Sequence, residues 1–239
     1  MLKGVILAGG LGTRLYPSTK NTSKHLLPVG DEPMICHSIK QLTSSGINDI
    51  LIVTNPLHVE DFKDVLGDGE QFGCQIDYQV QNEAKGIAHA LSLAEDFAEK
   101  HNIVVLLGDN IFETTIRTHI EDYLKQRNGA RVVLKQVKDP ERYGVANIVD
   151  DKITLIEEKP PNPHSDYAVI GLYFYDSTVF DIIRTIKPSS RGEFEITTVN
   201  NVYVRREELE YSILQGEWVD AGTHESLAIA NKMLLSRKE

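Results

Sequence analysis

The most constraining feature of this chain is a short apolar run that leads directly into glycines near the N-terminus. Residues 4–14 read Gly-Val-Ile-Leu-Ala-Gly-Gly-Leu-Gly-Thr-Arg. A continuous apolar run such as Val5 to Ala8 is typical of a strand buried on both faces of a parallel sheet. Glycines tolerate positive φ and let backbone N–H groups approach an anion closely. The segment therefore predicts a phosphate-binding loop at the end of a buried strand.

Neither of the two familiar glycine fingerprints fits this loop. A Walker loop needs Gly-Lys followed by Ser or Thr, which the segment lacks, and a dinucleotide loop needs a third glycine where Leu15 stands. We expect the loop to hold phosphate by another scheme, with Thr13 and Arg14 supplying further hydrogen-bond donors.

Composition limits the kinds of partner that the chain can have. The 239 residues are 41% hydrophobic, which suits one large α/β domain with room for a smaller lobe. A formal charge of −10 argues against a nucleic-acid or membrane-surface partner, because both need a broad basic face. An anionic ligand should therefore meet a local basic cluster.

Cysteine usage and the N-terminal sequence bear on the compartment. Cys36 and Cys74 show no metal-ligand spacing, which favours free thiols in a reducing compartment. The N-terminus has no apolar core of a signal peptide, and the longest apolar run, Ile103 to Leu107, is too short to cross a bilayer. We expect a cytoplasmic protein.

Strands and helices alternate through roughly the first 128 residues, as in βαβ units. The pattern predicts strands at 49–54, 76–80 and 103–107, and helices at 33–46, 59–67, 87–98 and 114–127. Asp109 follows the most apolar strand, and the carboxyl ends of parallel strands are where open α/β sheets bind ligands. Asp109 is therefore a candidate ligand-binding residue.

The rhythm changes in the second half, which predicts a more antiparallel lobe. Strands are expected at 130–137, 144–149, 153–157 and 168–175, and helices at 177–186, 195–205 and 223–236. The whole chain is interpreted as one α/β domain over residues 1–239. Its main part is a Rossmann-like, mostly parallel mixed sheet flanked by helices, and its smaller part is antiparallel.

Several segments, taken together and in order, carry a resemblance to a known family. They are Gly9 to Pro17, Ser23 to Pro28, Gln81 with Gly86 to Ala88, Gly108 to Phe112, Asp139 to Val145, Glu157 to Pro160, Gly171 to Asp176, Arg191 to Thr197 and Trp218 to Thr223. On these segments the chain resembles the sugar-phosphate nucleotidyltransferases, and among them the glucose-1-phosphate thymidylyltransferases. The resemblance implies a nucleotide-binding lobe at roughly 1–128 and a sugar-binding lobe at roughly 129–239.

Two features depart from the family pattern. The sequence stops at Glu239, whereas longer members continue and form a second, regulatory nucleotide site, so a short form without that extension is expected. The loop at residues 82–85 also lacks the prolines that are common there.

The resemblance implies transfer of a thymidylyl group from dTTP to α-D-glucose 1-phosphate, which gives dTDP-glucose and pyrophosphate. A UTP-dependent enzyme that makes UDP-glucose and a non-catalytic sugar-nucleotide-binding subunit are the alternatives. A non-catalytic subunit would not need Arg14, Lys24, Asp109 and Asp220 together. A homo-oligomer is also expected.

The resemblance also implies a role for particular residues. Arg14, Lys24 and Asp109 are implied to be catalytic, and Asp109 and Asp220 to bind Mg²⁺. The implied nucleotide-binding residues are Leu7, Ala8, Gly9, Gly10, Gly12, Thr13, Arg14, Lys24, Gln81, Gly86 and Asp109. The implied sugar-phosphate-binding residues are Asn110, Tyr143, Gly144, Glu158, Lys159, Val169, Gly171, Arg191 and Trp218.

Each of these residues also has a purely structural interpretation. Basic residues are usually solvated surface charges, Asp109 could cap a helix, Gln81 could face solvent at a strand end, and Tyr143 could lie in the core. The eight histidines show no metal-ligand spacing and are taken as structural or solvated.

Overall fold

The computed structural model describes residues 2–126 and 128–236, which group into two compact units. The glycine-loop unit comprises residues 3–84, 106–117 and 216–236, and the central unit comprises residue 2 and residues 85–105, 118–126 and 128–215. Each unit is therefore built from segments that are distant in the sequence.

The strands, in chain order, are β1 (Leu2–Ala8), β2 (Pro28–Val29), β3 (Glu32–Pro33), β4 (Asp49–Thr54), β5 (Gln75–Val80), β6 (Asn102–Leu107), β7 (Asn110–Phe112), β8 (Ala130–Gln136), β9 (Gly144–Val149), β10 (Lys152–Glu158), β11 (Tyr167–Tyr175), β12 (Leu209–Ile213) and β13 (Trp218–Asp220). The α-helices are α1 (Met34–Ser44), α2 (Val59–Leu66), α3 (Ile87–Ser92), α4 (Glu95–Ala98), α5 (Arg117–Lys125), α6 (Thr178–Thr185), α7 (Ile196–Arg205) and α8 (His224–Leu235).

The glycine-loop unit contains a parallel set of strands. β1 pairs with β4, and β4 pairs with β5, both in parallel. The apolar side chains of β1 and β4 are buried almost throughout, as expected for strands covered on both faces. The N–H of Gly108, just after β6, donates to the carbonyl of Leu7 at 3.0 Å. The chain segments that follow β1 and β6 therefore start side by side.

The C-terminal segment completes the glycine-loop unit. β13 pairs with β7 in antiparallel register, with Asp220 opposite Asn110. Thr223 and Ser226 form a capping box at the start of α8, which supplies partners for the first N–H groups of the helix. Ala230 of α8 and Ala221 pack in a buried cluster with Val29, Met34 and Ile111. This burial holds α8 against the rest of the unit.

The central unit contains a mixed group of strands. β11 is antiparallel to β8 and β9, β9 and β10 form an antiparallel pair, and β12 runs parallel to β8. The predicted class, an α/β fold with a mixed sheet flanked by helices, is confirmed. In the described part of the chain no helix is both long and apolar enough to cross a membrane.

Two predicted helices are wrong in their limits. The helix expected at 87–98 is two short helices, α3 and α4, separated by Leu93 and Ala94. The helix expected at 114–127 starts only at Arg117, and its predicted end at Arg127 lies outside the described residues. The side chain of Gln41 accounts for the late start, because it donates to Thr114 O at 3.1 Å and accepts from Ile116 N at 3.2 Å.

Some short strands had no sequence signal. β2, β3, β7, β12 and β13 were not expected, and four of them have only two or three residues. The other predicted strands and helices are confirmed to within a few residues at each end. Such short strands show no periodicity from which they could be predicted.

Candidate active site

The glycine-rich loop is folded tightly against its own following turn. Gly12 has φ of +65°, a left-handed conformation that favours glycine, and its carbonyl accepts from Leu15 N at 2.9 Å and from Thr19 Oγ1 at 2.8 Å. Leu15 is fully buried, whereas Thr13 and Arg14 are exposed. The residue that rules out a dinucleotide fingerprint is thus the apolar anchor of the loop.

Lys24 lies directly against the glycines of this loop. A Cβ on Gly10 would come within 3.3 Å of Lys24 Cε, and one on Gly12 would come within 3.0 Å of Lys24 Cβ. The ammonium group of Lys24 donates to Asp109 Oδ2, and both side chains are nearly buried. The missing side chains of the glycines leave the space in which the lysine lies.

The electrostatics of this pair differ from those of surface residues. Burial raises the pKa of Asp109, but the charge and hydrogen bond of Lys24 outweigh it, so the net pKa lies well below its usual range. Burial, and then the charge of Lys24, lower the pKa of the adjacent His25 to about 3. At neutral pH Asp109 is therefore a carboxylate and His25 a neutral imidazole.

Asp220 and Arg14 approach the same place from other segments. The N–H of Ala221, next to Asp220, donates to Asp109 O at 2.8 Å. A Cβ on Gly222 would lie 2.7 Å from Arg14 Nη2 and 2.9 Å from Asp220 Oδ1. The two carboxylates and two cations predicted from four distant motifs thus gather around the glycine-rich loop.

Gln81 also lies against the loop. Its backbone N–H donates to Thr54 O at 2.7 Å at the ends of β4 and β5, and its side chain is buried. A Cβ on Gly9 would lie only 2.7 Å from Gln81 Oε1. The buried position rules out the solvent-facing interpretation of Gln81.

Asn55 supports this part of the loop and was missed by sequence reasoning. Its side chain donates to Gly9 O at 3.4 Å and accepts from Leu57 N at 3.0 Å. The only available signal was its position directly after the buried strand β4.

A second polar cluster lies in the central unit. Glu158, the last residue of β10, is opposite Gly144 on β9, and Gly144 is opposite Val169 on β11. Arg191 Nη1 lies 3.4 Å from Glu158 Oε1, and Lys159 Nζ lies 3.8 Å from the same oxygen. Five of the predicted sugar-phosphate residues therefore adjoin one another.

The backbone around this cluster is held firmly. Lys159 N donates to Tyr143 O at 2.9 Å, and Lys159 has φ of +46°, which is uncommon for a residue with a side chain. Tyr143 is half-buried and follows the short 3₁₀ helix Pro140–Arg142. Gly171 is buried within β11.

Arg191 is surrounded by carboxylates. Besides Glu158, its guanidinium lies 3.3 Å from Glu193 Oε2 and 3.5 Å from Glu195 Oε1. Glu195 is buried, accepts from Ser189 Oγ at 2.8 Å, and has a pKa raised chiefly by that burial. Arg191 is still 40% exposed at its side chain, so it can reach a dissolved anion.

Thr197 and Glu195 were not assigned roles from the sequence. Thr197 Oγ1 donates to Glu158 Oε2, and a Cβ on Gly144 would lie 3.2 Å from that hydroxyl. Both residues lie in the segment Arg191 to Thr197 that carried the family resemblance, and this was the available signal.

Three predicted residues belong to a different unit from most members of their sets. Asn110 and Trp218, predicted to bind sugar phosphate, lie in the glycine-loop unit, where Trp218 Nε1 donates to Asn110 Oδ1 at 2.7 Å. Gly86, predicted to bind nucleotide, lies in the central unit, and a Cβ there would meet Phe194 O at 2.7 Å.

Comparison with protein families decides the class of the chain. The model of a family described as nucleotidyl transferase matches residues 3–237. The chain belongs to the nucleotidyl transferase family. It is an enzyme of this class, and the family generally uses a divalent metal.

Its relatives place it among the glucose-1-phosphate thymidylyltransferases. An enzyme of that name from Neisseria meningitidis serogroup A is 46% identical over 95% of this chain and 80% of the relative. Another from Xanthomonas campestris pv. campestris strain B100 is 47% identical over 94% of this chain and 78% of the relative. Both identities extend over nearly the whole chain.

Solved structures agree with this placement. A Bacillus anthracis protein provisionally named a glucose-1-phosphate thymidylyltransferase, solved with sucrose, is 53% identical with a TM-score of 0.95, covering 100% of this chain and 96% of that one. A UDP-glucose pyrophosphorylase solved with UDP-glucose has a TM-score of 0.88 at 24% identity, covering 99% and 100% of the chains, and shows the shared fold alone.

The residues present suit a divalent metal. Mg²⁺ typically takes one or two carboxylates together with substrate oxygens. Asp109, directly before β7, and Asp220, the last residue of the paired strand β13, supply two carboxylates. Among residues 2–126 and 128–236 there is no group of three or more His, Cys, Asp or Glu arranged to hold a metal alone. A metal at Asp109 and Asp220 would thus depend on substrate oxygens.

Proposed function

We propose that the chain transfers a thymidylyl group from dTTP to α-D-glucose 1-phosphate, releasing pyrophosphate and forming dTDP-glucose. The observation that carries the proposal is the buried Lys24 and Asp109 pair beneath a glycine-rich loop, with Arg14 and Asp220 beside it. The identities of its relatives support thymidylyl transfer over the UDP-glucose alternative.

The chemistry of the reaction explains why cations dominate the candidate sites. A phosphate monoester is already an adequate nucleophile toward the α-phosphorus, so no covalent enzyme intermediate is needed. The protein must orient two polyanions and neutralise the charge that develops in the transition state. We assign Arg14 and Lys24 to the triphosphate, and Lys159 and Arg191 to the sugar phosphate.

The glycine-rich loop serves the triphosphate in this proposal. Gly9, Gly10 and Gly12 follow β1 directly, and because they have no side chains an anion can approach their backbone N–H groups closely. Lys24 already neutralises Asp109 and lies under the same glycines. Its ammonium group can therefore turn from carboxylate to phosphate over a short distance.

The metal is assigned to Mg²⁺ on Asp109 and Asp220. Asp109 and Asp220 would hold the ion, and its positive charge would offset the negative charge of the phosphates during transfer. The low pKa of Asp109 keeps it ionised, which suits a metal ligand. Lys24 and Asn110 orient the two oxygens of that carboxylate.

The base is assigned to Gln81. A side-chain amide offers one acceptor and two donors, which can match the edge of a pyrimidine in pairs. Its packing against Gly9 fixes the amide beside the loop that would hold the phosphates.

The sugar phosphate is assigned to the cluster in the central unit. Glu158, with Thr197 bonded to one of its oxygens, can accept hydrogen bonds from sugar hydroxyls. Arg191 would exchange part of its contact with Glu193 for phosphate, since the three carboxylates around it lie at 3.3 to 3.5 Å rather than at close hydrogen-bond distance. Cytoplasmic location and a homo-oligomeric state stay predictions.

A pyrophosphate-release assay over a matrix of triphosphates and sugar 1-phosphates tests the proposal. We expect the highest kcat/KM for dTTP with glucose 1-phosphate. A higher value for UTP would identify a uridylyltransferase instead. Absence of turnover with every pair, together with tight binding of dTDP-glucose, would identify a non-catalytic subunit.

A further inference from the structure

The single tryptophan of the chain is connected to Asp109 through one intervening side chain. Trp218 Nε1 donates to Asn110 Oδ1 at 2.7 Å, and Asn110 Nδ2 donates to Asp109 Oδ1 at 2.9 Å. The other oxygen of Asp109, Oδ2, accepts from Lys24. Both carboxylate oxygens are therefore oriented by protein donors.

The chemistry at both ends fixes the orientation of the Asn110 amide. An indole N–H can only donate, so the amide atom that faces Trp218 must be the oxygen. An ionised carboxylate can only accept, so the amide atom that faces Asp109 must be the nitrogen. A flipped amide would lose both hydrogen bonds at once.

The strand pairing explains why these residues meet. β13 runs antiparallel to β7, with Trp218 opposite Phe112 and Asp220 opposite Asn110. Trp218 and Asp220 are two residues apart on β13, a spacing that puts both on one face of the strand. β13 therefore carries both Asp220 and Trp218, whose indole orients Asn110, which in turn contacts Asp109.

We propose that Asn110 and Trp218 are positioning residues for Asp109, with Trp218 acting through Asn110; this proposal rests on the proposed function. Asn110 is 2% exposed, and its amide nitrogen is directed at the carboxylate. Partners that orient a ligating carboxylate typically change metal affinity or activity by about 10- to 100-fold when removed. This role differs from the direct contact with sugar phosphate expected from the family resemblance.

The kinetic test compares Asn110→Ala and Asn110→Asp with wild type. Asn110→Asp keeps the shape and the acceptor for Trp218 but places an acceptor against Asp109. Both variants should lower kcat about 10- to 100-fold and raise the Mg²⁺ concentration for half-maximal rate, with little change in the KM for glucose 1-phosphate. A rise in that KM with normal kcat and normal Mg²⁺ requirement would overturn the proposal.

Asn231→Ala is the matched control. Asn231 lies in the same unit and also makes two hydrogen bonds, to Gly30 N at 2.8 Å and Leu227 O at 2.9 Å, neither of them to the cluster. We expect it to leave kcat and the Mg²⁺ requirement near wild type. An equal loss in this control would show that the Asn110 effect is only structural.

A double-mutant cycle tests whether Trp218 acts through Asn110. Trp218→Phe keeps an aromatic ring and removes the indole N–H donor, so it also serves if the Asn110 variants fold poorly. By itself, Trp218→Phe should lower kcat about fivefold to tenfold and raise the Mg²⁺ requirement, with little change in the KM for glucose 1-phosphate. Added to Asn110→Ala, it should lower kcat no further. If the two substitutions lower kcat independently, so that their fold-losses multiply, the proposal is overturned, because Trp218 would then act without Asn110.

Fluorescence gives a readout that does not need turnover. Because the only tryptophan contacts Asn110, adding Mg²⁺ and dTTP without sugar phosphate should change its emission in wild type. The change should be lost in Asn110→Ala, while calorimetry still detects dTTP binding. An identical emission change in both proteins would overturn the proposal.

Failure of the positioning role can be distinguished from failure of the proposed function. Wild-type protein that releases no pyrophosphate with any substrate pair would refute the transferase assignment. If wild-type protein is active and the Asn110 variants are equally active, only the positioning role of Asn110 and Trp218 is refuted.

Discussion

Lys24 and Asp109 lie 85 positions apart in the chain, yet the ammonium of one donates directly to the carboxylate of the other. Their side chains are only 12% and 13% exposed. Removing one partner of such a buried pair leaves an uncompensated charge, which is far more damaging than loss of a surface ion pair. The pair is therefore both a structural and a chemical element of the candidate site.

Asp109→Asn should lower kcat by about a hundredfold or more, because charge stabilisation directed at the transition state is lost. Binding of dTTP should remain measurable by calorimetry. Steady-state kinetics at saturating Mg²⁺ provide the measurement, and Asp122→Asn, at an exposed ion pair with Lys125, is the control. Near-normal kcat in Asp109→Asn would remove this residue from the metal site.

Arg191→Ala should raise the KM for glucose 1-phosphate by at least about tenfold and leave that for dTTP much less affected, because it removes a charge-assisted contact to one substrate. Arg184→Ala is a matched control, since this arginine of the same unit pairs with Glu95 and Asp181 at the surface. Equal increases in both KM values would contradict the assignment of Arg191 to the sugar phosphate.

Gly222→Ala should displace Arg14 and lower kcat/KM for dTTP by about 10- to 100-fold, since misplacement of a catalytic group by about 1 Å can have that effect. The new methyl group would lie 2.7 Å from Arg14 Nη2 and 2.9 Å from Asp220 Oδ1, so both side-chain ends would have to shift. The thermal unfolding midpoint should therefore change little. A large drop in that midpoint, with normal kinetics at low temperature, would contradict this explanation.

The triphosphates should rank dTTP, then UTP, then ATP and GTP far behind. Thymine and uracil differ by one methyl group, whose burial contributes about 0.8 kcal/mol, and a well-fitted pocket reaches roughly ten- to two-hundredfold. A purine would leave polar groups unpaired at about 1–3 kcal/mol each. Measured kcat/KM values for the four triphosphates test this order. Gln81→Ala should reduce the ratio of kcat/KM for dTTP to that for ATP or GTP. ATP or GTP used as well as dTTP would exclude Gln81 as the pyrimidine reader.

Lowering the pH should decrease the free energy of unfolding, and His119 should contribute to this decrease. Burial lowers the pKa of this histidine; Arg131 also lowers it, and Asp122 opposes them. A hydrogen bond of 2.8 Å joins His119 Nδ1 and Ser212 Oγ. Because the unfolded chain then binds more protons below the ordinary histidine pKa of about 6.5, the free energy of unfolding decreases as pH falls through that value.

Urea unfolding at about pH 7.5 and about pH 5.5 measures this effect across the histidine range. His119→Gln should lose less stability than wild type between the two pH values, whereas His164→Gln, at an exposed position, should behave as wild type. An unchanged pH dependence in His119→Gln would show that another group is responsible.

Much of the local structure could be predicted from the sequence because its signals are local. The continuous apolar runs identified β1, β4 and β6, and apolar residues at helical spacing identified α1 and α2. The glycines after β1 predicted a loop with left-handed backbone, and Gly12 has it. Asp109 could be singled out because it follows the most apolar strand.

The start of α5 shows where such signals fail. Thr114, Thr115 and Ile116 fit a helix by themselves, but Gln41 of α1 takes the hydrogen bonds of Thr114 and Ile116. A side chain more than seventy positions away therefore decides where the helix begins. No local pattern contains that information.

The sequence alone determined which residue types are available for phosphate, metal and sugar chemistry, together with the strands and turns that present them. Only the tertiary structure decided which of them meet. β13 has three residues and no periodicity, yet its pairing with β7 and the burial of α8 bring Trp218 and Asp220 to Asn110 and Asp109. Pairing of this kind depends on hydrogen bonds and apolar burial between distant segments, and these exist only once the chain has folded.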